Sequence, residues 1–183
     1  MTGHRDGRVL VAGIGNVFLG DDAFGVEVAG RIDPSSLPAT VDVRDYGIRG
    51  VHLAYELLDG RYGSLILVDA MPVDGPPGTL AVLDARTGEP PTGPGIADAP
   101  GVAPIDGHGM TPQAVLQLLR NLGGEVARVF VVGCRPAVLD EVMGLSGPVR
   151  AAIGDAAALV RELACREATA LCPDPADTER ANA

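Results

Sequence analysis

The stretch that decides the fold runs from Val9 to Gly25 and reads VLVAGIGNVFLGDDAFG. Its first residues, Val9–Ile14, are apolar or glycine, which predicts a buried strand that ends in a glycine-rich turn. Two adjacent carboxylates, Asp21 and Asp22, follow that turn. Functional side chains of open α/β sheets collect at the carboxyl ends of the strands. The stretch therefore predicts a parallel sheet and also the edge of it where a site should lie.

Strand and helix patterns alternate along the rest of the chain. The apolar runs that predict strands are Arg8–Ile14, Val41–Asp45, Ser64–Asp69, Thr79–Leu83 and Arg128–Gly133. The stretches with helical spacing of apolar residues are Ala23–Ile32, Val51–Leu58, Thr111–Leu122 and Gly147–Leu163. The connection MPVDGPPG before the fourth strand is too short for a helical crossover, so that strand should lie antiparallel at an edge. The order predicts a three-layer α/β/α sandwich around a mostly parallel, twisted, five-stranded sheet.

Composition and charge narrow the class of protein. The 183 residues are 46% hydrophobic, which predicts one domain (core about residues 8–165, with a frayed tail over 171–183). The net charge of −10 argues against nucleic acid and anionic membranes as partners. No apolar run approaches the ~20 residues of a membrane span, and the polar N-terminal residues do not resemble a signal peptide. Three cysteines without CxxC spacing are typical of reduced thiols, so a cytoplasmic location is expected.

Two further residues are placed to join the acid pair. Asp69 ends a predicted strand, directly after four fully apolar residues, and no helix pattern begins after it, so ligation or catalysis is favoured over capping. His108 lies between two glycines, which let the backbone turn sharply and bring the imidazole to the rim. One side chain is enough to cap the start of a helix, so capping explains only one of Asp21 and Asp22, and the other should have a different role. Two carboxylates and an imidazole suit Zn, Ni or Fe(II) with open coordination positions.

Other chemistries have weaker support in the sequence. Cys134 has no partner at a recognisable spacing, and no serine lies in a GxSxG context, which leaves an activated water as the favoured nucleophile. Gly13 and Gly15, with an acid at the end of the second strand, resemble a dinucleotide-binding fingerprint. Phe18 occupies the third glycine position, however, and the acid pair would repel a pyrophosphate. A non-catalytic metal-recognition or chaperone module on the same fold is the remaining alternative.

Four separated motifs resemble those of the nickel–iron hydrogenase maturation endopeptidases. The stretch GIGNVFLGDDAFG is similar to the family signature GxGNxLxxDDGxG, with Ala23 where many members have glycine. Later segments that match are DYGIRGVHLAYELL, LILVDAM and DGHGM, and VVGCRP is similar to the stretch after the last strand of the family. The motifs follow the family's order between Val9 and Leu163.

The resemblance implies an activity, a substrate and a ligand set. Family members remove a short C-terminal extension from the [NiFe]-hydrogenase large-subunit precursor after nickel insertion, cleaving after a His or Arg just beyond the last nickel-binding CxxC motif. The implied metal-contacting and catalytic trio is Asp22, Asp69 and His108. It would contact nickel that the precursor carries, or another divalent metal in vitro. The implied partner is this precursor, and a monomer is expected because docking a large precursor requires no second copy of the enzyme.

The same resemblance suggests which residues handle the substrate. Asp45, at the end of the second strand, matches an acid linked to substrate handling in the family. Together with Asn16 and Asp21 it forms the set of candidate substrate-positioning residues. The long Pro- and Gly-rich stretch Thr87–Gly109 exceeds the usual length of a structureless connection, and is expected to clasp the partner.

Overall fold

A computed structural model describes residues 7–85 and 111–172 of the chain. The strands are β1 (Arg8–Ile14), β2 (Val41–Gly47), β3 (Tyr62–Ala70), β4 (Leu80–Asp84) and β5 (Arg128–Cys134). The α-helices are α1 (Phe24–Arg31), α2 (Gly50–Leu57), α3 (Pro112–Asn121) and α4 (Gly147–Leu171). Two short 3-10 helices span Gly20–Ala23 and Pro34–Ser36. The predicted loop Thr87–Gly109, with His108, and the tail beyond residue 172 lie outside the described residues.

The five strands form one sheet in the order β2-β1-β3-β5-β4. Neighbouring strands are parallel except for β4, which pairs antiparallel with β5 at the edge. The predicted fold class is therefore confirmed, including the antiparallel edge strand. Since β2 lies on one side of β1 and β3 on the other, the chain reverses its direction of travel across the sheet between β1 and β3. Loops at such a reversal point diverge and leave a crevice at the carboxyl ends of the strands.

The alternation of side chains along β1 creates two cores. Val9 and Val11 pack with α1 and α4 on one face of the sheet, whereas Leu10 and Ala12 pack with α2 and α3 on the other. All four of these side chains are fully buried. A central strand that is apolar on both faces is what a three-layer sandwich requires.

The last helix is longer than the sequence pattern predicts. The prediction ended it at Leu163, but α4 continues to Leu171. Its added turns bury Ala164 and Ala168, and Leu171 packs so closely on Gly63 that a Cβ there would lie 2.9 Å from Leu171 Cδ2. Small residues carry little hydrophobic signal, so a packed helix face built from alanine is easily taken for a helix end.

A buried carboxylate fixes this added part of α4 to the sheet. Glu167 is fully buried, and its Oε2 accepts a hydrogen bond of 3.1 Å from the hydroxyl of Ser64 in β3. Arg128 at the start of β5 contacts both carboxylate oxygens, at 2.8 Å from Nε and 3.0 Å from Nη2. The charge is therefore paired and hydrogen-bonded, as burial of a carboxylate requires.

We expect Glu167→Ala to lower the free energy of unfolding by about 2 kcal/mol, since it leaves the buried Ser64 hydroxyl without its acceptor and opens a cavity. The half-exposed Arg128 can turn to water, which limits the loss. Urea denaturation measures the change. Glu162→Ala, on an exposed position of the same helix, is the matched control and should stay within about 0.5 kcal/mol of wild type. Equal effects of the two substitutions would contradict the structural role of Glu167.

Among the described helices, none combines the length and the apolar character that crossing a membrane demands.

Candidate active site

The structure brings Asp22 and Asp69 together where the chain reverses direction. Asp22 lies in the turn that follows β1, and Asp69 is the penultimate residue of β3. Burial and, after it, the negative charge of Asp22 raise the pKa of the Asp69 carboxyl group, so the two carboxylates interact electrostatically. Two of the three predicted metal-contacting residues therefore lie near each other at the carboxyl ends of the central strands.

Two glycines permit this close approach. Gly15 adopts a φ of +136°, and a Cβ at this position would lie 1.8 Å from the carbonyl oxygen of Asp22. Gly25, near the start of α1, packs against Val68, the residue before Asp69. Side chains at either position would push the turn that carries Asp22 away from β3. The glycines of the sequence motif thus set the spacing of the acid pair.

Asp22 closes the loop in which it lies. Its Oδ2 accepts a hydrogen bond of 2.7 Å from the backbone N–H of Asn16, and the Asn16 side chain accepts one of 3.0 Å from Phe18 N–H. No side chain caps the start of α1. Capping therefore accounts for neither acid of the pair, and Asp22 remains half-buried at the rim.

Asp21 has a different place from the one expected of a substrate-positioning residue. Its side chain is fully buried, and it accepts hydrogen bonds from the backbone N–H groups of Ala137 (2.7 Å), Val138 (2.9 Å) and Ser146 (2.7 Å). The Ser146 hydroxyl donates a fourth at 2.9 Å. Desolvation raises the pKa of Asp21, but these hydrogen bonds outweigh it and hold the pKa below its usual value. Asp21 therefore anchors the loop between β5 and α4.

This anchored loop is the structural feature beside the site that the sequence did not predict. Its partner lies 116 residues away along the chain, beyond any local spacing rule. The available signal was that one acid of the pair needed a role other than capping. The loop residues 135–146 also contain exposed apolar side chains, which a solvated connection does not require.

The remaining site candidates differ in how they are placed. Asp45 lies opposite Gly13 on β2, exposed at the same edge of the sheet, and its backbone carbonyl accepts a hydrogen bond from Arg49. His108 lies outside the described residues. Within residues 7–85 and 111–172, no three His, Cys, Asp or Glu side chains are grouped closely enough to hold a metal ion. The metal-contacting trio Asp22, Asp69 and His108 therefore remains a prediction.

Cys134 carries a buried and weakly acidic thiol. Its side chain is buried at the end of β5, and burial, with the charge of Asp21, raises the pKa of its thiol to about 11. A thiol with such a pKa is almost entirely protonated at neutral pH and is a poor nucleophile.

Asp69 has a strongly raised pKa. It is 5% exposed, and burial together with the charge of Asp22 raises its pKa to about 8, against a partial offset by a hydrogen bond from the Ala70 backbone. Two like charges in a poorly solvated crevice favour the protonated form of one of them. A divalent cation between them would relieve that repulsion, so the donor chemistry fits a metal contact.

The raised pKa of Asp69 predicts how stability depends on pH. Between the ordinary pKa of 3.8 and about 8, the folded chain keeps a proton that the unfolded chain has released. The stabilisation is therefore fully present below the ordinary pKa and is lost as the pH rises through the folded pKa. We expect Asp69→Asn, measured by thermal unfolding with chelator present, to unfold at a higher temperature than wild type at pH 8, with the difference shrinking toward pH 5. A constant difference across this range would contradict the raised pKa.

The fold and the acid pair define a class of protein: a three-layer α/β protein with a carboxylate site at the reversal point of its sheet. The model of the hydrogenase maturation protease family matches residues 26–163, a range that contains Asp69 and begins after Asp22. The chain belongs to the hydrogenase maturation protease family.

Individual relatives agree with this assignment. The hydrogenase 2 maturation protease of Escherichia coli is 31% identical over 148 residues, which cover 80% of this chain and 84% of that protein. The solved structure of a hydrogenase 2 maturation peptidase from a Thaumarchaeota archaeon has a TM-score of 0.59 and 31% identity, covering 85% of this chain and 97% of that one. The E. coli hydrogenase maturating endopeptidase HybD has a TM-score of 0.61 at 25% identity, covering 84% and 89%. The family predicted from the sequence motifs is confirmed.

Proposed function

We propose that this chain is a nickel-dependent endopeptidase that removes the C-terminal extension of a [NiFe]-hydrogenase large-subunit precursor after nickel insertion. The observation that carries the proposal is the pairing of Asp22 with the buried Asp69 at the reversal point of the sheet. Family membership supports the endopeptidase activity and favours it over dinucleotide binding. The nickel ion belongs to the precursor and is part of the substrate.

The two carboxylates would recognise that nickel, with His108 as the third contact. Burial and the charge of Asp22 raise the pKa of Asp69, and a cation that displaces its proton would relieve the repulsion between the two carboxylates. Asp22 keeps its orientation through the hydrogen bond from Asn16. A metal ion at such a site can polarise a carbonyl group or lower the pKa of a water molecule. The same site would thus recognise a nickel-loaded precursor and cleave its peptide bond.

The nucleophile in this proposal is water. Cys134 is buried and held as a thiol, and the hydroxyls of Ser64 and Ser146 donate to buried carboxylates. These groups stabilise the fold and are not available for attack on a peptide bond. This supports a water molecule, activated by a carboxylate or by the metal, as the nucleophile. We further propose that the enzyme acts as a monomer in the cytoplasm, where the precursor is processed.

The test is intact mass spectrometry of a C-terminally extended large-subunit precursor incubated with this chain, nickel-loaded and nickel-free samples side by side. Loss of a discrete C-terminal peptide from the nickel-loaded sample alone supports the proposal. Equal cleavage of both samples would remove the nickel dependence. No cleavage of a precursor verified to carry nickel would overturn the endopeptidase activity in favour of a non-catalytic metal-recognition module.

A further inference from the structure

A groove with mostly apolar walls lies at the loop between β1 and Asp22. It has a volume of about 500 Å³ and is lined by Asn16, Phe18, Leu19, Glu141, Val142 and Met143. One wall belongs to the loop after β1 and the other to the loop that Asp21 anchors. Phe18 is 63% exposed and Met143 is 74% exposed, which is costly for two large apolar side chains that line the same groove.

The two walls are fixed to each other by the backbone. Gly20 N–H donates to Val142 O at 2.7 Å, and Asp21 N–H donates to Val138 O at 2.9 Å. The buried Asp21 carboxylate adds its hydrogen bonds to the same loop. A groove with walls held in this way is already formed before anything binds, so a ligand does not have to order it.

One hydrogen bond connects the groove to the proposed site of cleavage. Asn16 lines the groove, and its backbone N–H binds Oδ2 of Asp22. A peptide with its scissile bond at the acid pair would therefore lay a neighbouring side chain between Phe18 and Met143. The exposed carboxylate of Glu141 at the groove disfavours an acidic segment there.

We propose that this groove binds a large apolar side chain of the precursor segment that flanks the scissile bond, in a non-acidic stretch of that segment. The inference rests on the proposed function, because it names the part of the substrate that the crevice receives. Phe18 and Met143 are then specificity-determining residues. Met143 is suited to this role because a flexible thioether adapts to differently shaped apolar partners.

The test measures the initial binding of a nickel-loaded large-subunit precursor, before cleavage proceeds, to wild type and to exposed-residue variants. Phe18→Ala and Met143→Ala should each raise the dissociation constant about tenfold, the effect expected for losing one well-buried apolar contact. Phe18→Leu, which keeps most of the apolar volume, should stay within about threefold of wild type. Leu122→Ala is the matched control, because Leu122 is also an exposed apolar residue but follows α3, away from the groove.

The outcomes separate this inference from the proposed function. Weaker binding for both groove variants with an unchanged Leu122→Ala supports the groove, whether or not wild type goes on to cleave the precursor. Dissociation constants within twofold of wild type for Phe18→Ala and Met143→Ala overturn it, even if cleavage is normal. A wild-type chain that does not bind the precursor overturns both proposals. Circular dichroism of each variant confirms that the fold is retained.

Discussion

Asp69→Asn is expected to reduce the rate of precursor cleavage by about a thousandfold or more while leaving the chain folded. Asparagine has the shape of aspartate but cannot supply a negative charge to a nickel ion or take a proton from water. Loss of a direct contact should exceed the 10- to 100-fold losses typical of residues that only orient metal ligands. Initial rates from intact mass spectrometry of nickel-loaded precursor measure the effect.

The buried position of Asp69 makes this experiment unusually informative. Because burial raises the pKa of its carboxyl group, the same substitution that removes activity should stabilise the metal-free chain at pH 8. Loss of activity can then not be attributed to unfolding. Asp74→Asn, an exposed acid in the loop after β3, is the matched control and should cleave at the wild-type rate. An Asp69→Asn chain with more than a tenth of wild-type activity would exclude Asp69 from the catalytic centre.

Much of the fold was accessible from the sequence because it depends on short-range patterns. The apolar run of β1 and the short connection before β4 predicted a parallel sheet with an antiparallel edge, and both are observed. The predicted end of α4 was wrong because the last turns of this helix bury alanines and one glutamate. The partners that hold that glutamate, Ser64 and Arg128, are brought to it only by the folded sheet.

The site could be predicted from the sequence only in part, because some of its contacts join residues that are far apart along the chain. The apolar strand that ends in Asp69 predicted the place of this residue at the carboxyl edge of the sheet. The motif with the two adjacent acids predicted Asp22. The distinct task of Asp21 could not be read from the motif, because its hydrogen-bond partners Ala137 and Ser146 lie more than a hundred residues away in sequence. Adjacent carboxylates therefore have separate roles: one is buried and holds a loop, and the other stays at the crevice.

Gly25→Ala is expected to destabilise the chain by about 4 kcal/mol or more, although alanine is normally favoured in a helix. A Cβ at this position would lie 2.0 Å from the carbonyl oxygen of Val68 and 2.3 Å from that of Ile14. Both oxygens belong to the backbone of central strands, which cannot move aside without breaking the sheet. Helix α1 must shift outward instead, and urea denaturation measures the cost.

Gly30→Ala provides the matched control on the same helix. Gly30 is exposed, and a Cβ there meets no atom within 4 Å, so alanine should raise the free energy of unfolding by about 0.5–1 kcal/mol. If the same substitution lowers the free energy of unfolding at Gly25 and raises it at Gly30, the difference isolates the steric requirement at Gly25. A displaced α1 also moves Asp22 away from Asp69, so any folded Gly25→Ala chain should cleave precursor poorly. Comparable stabilities of the two variants would contradict the close packing of α1 on β3 and, with it, the structural basis of the acid pair.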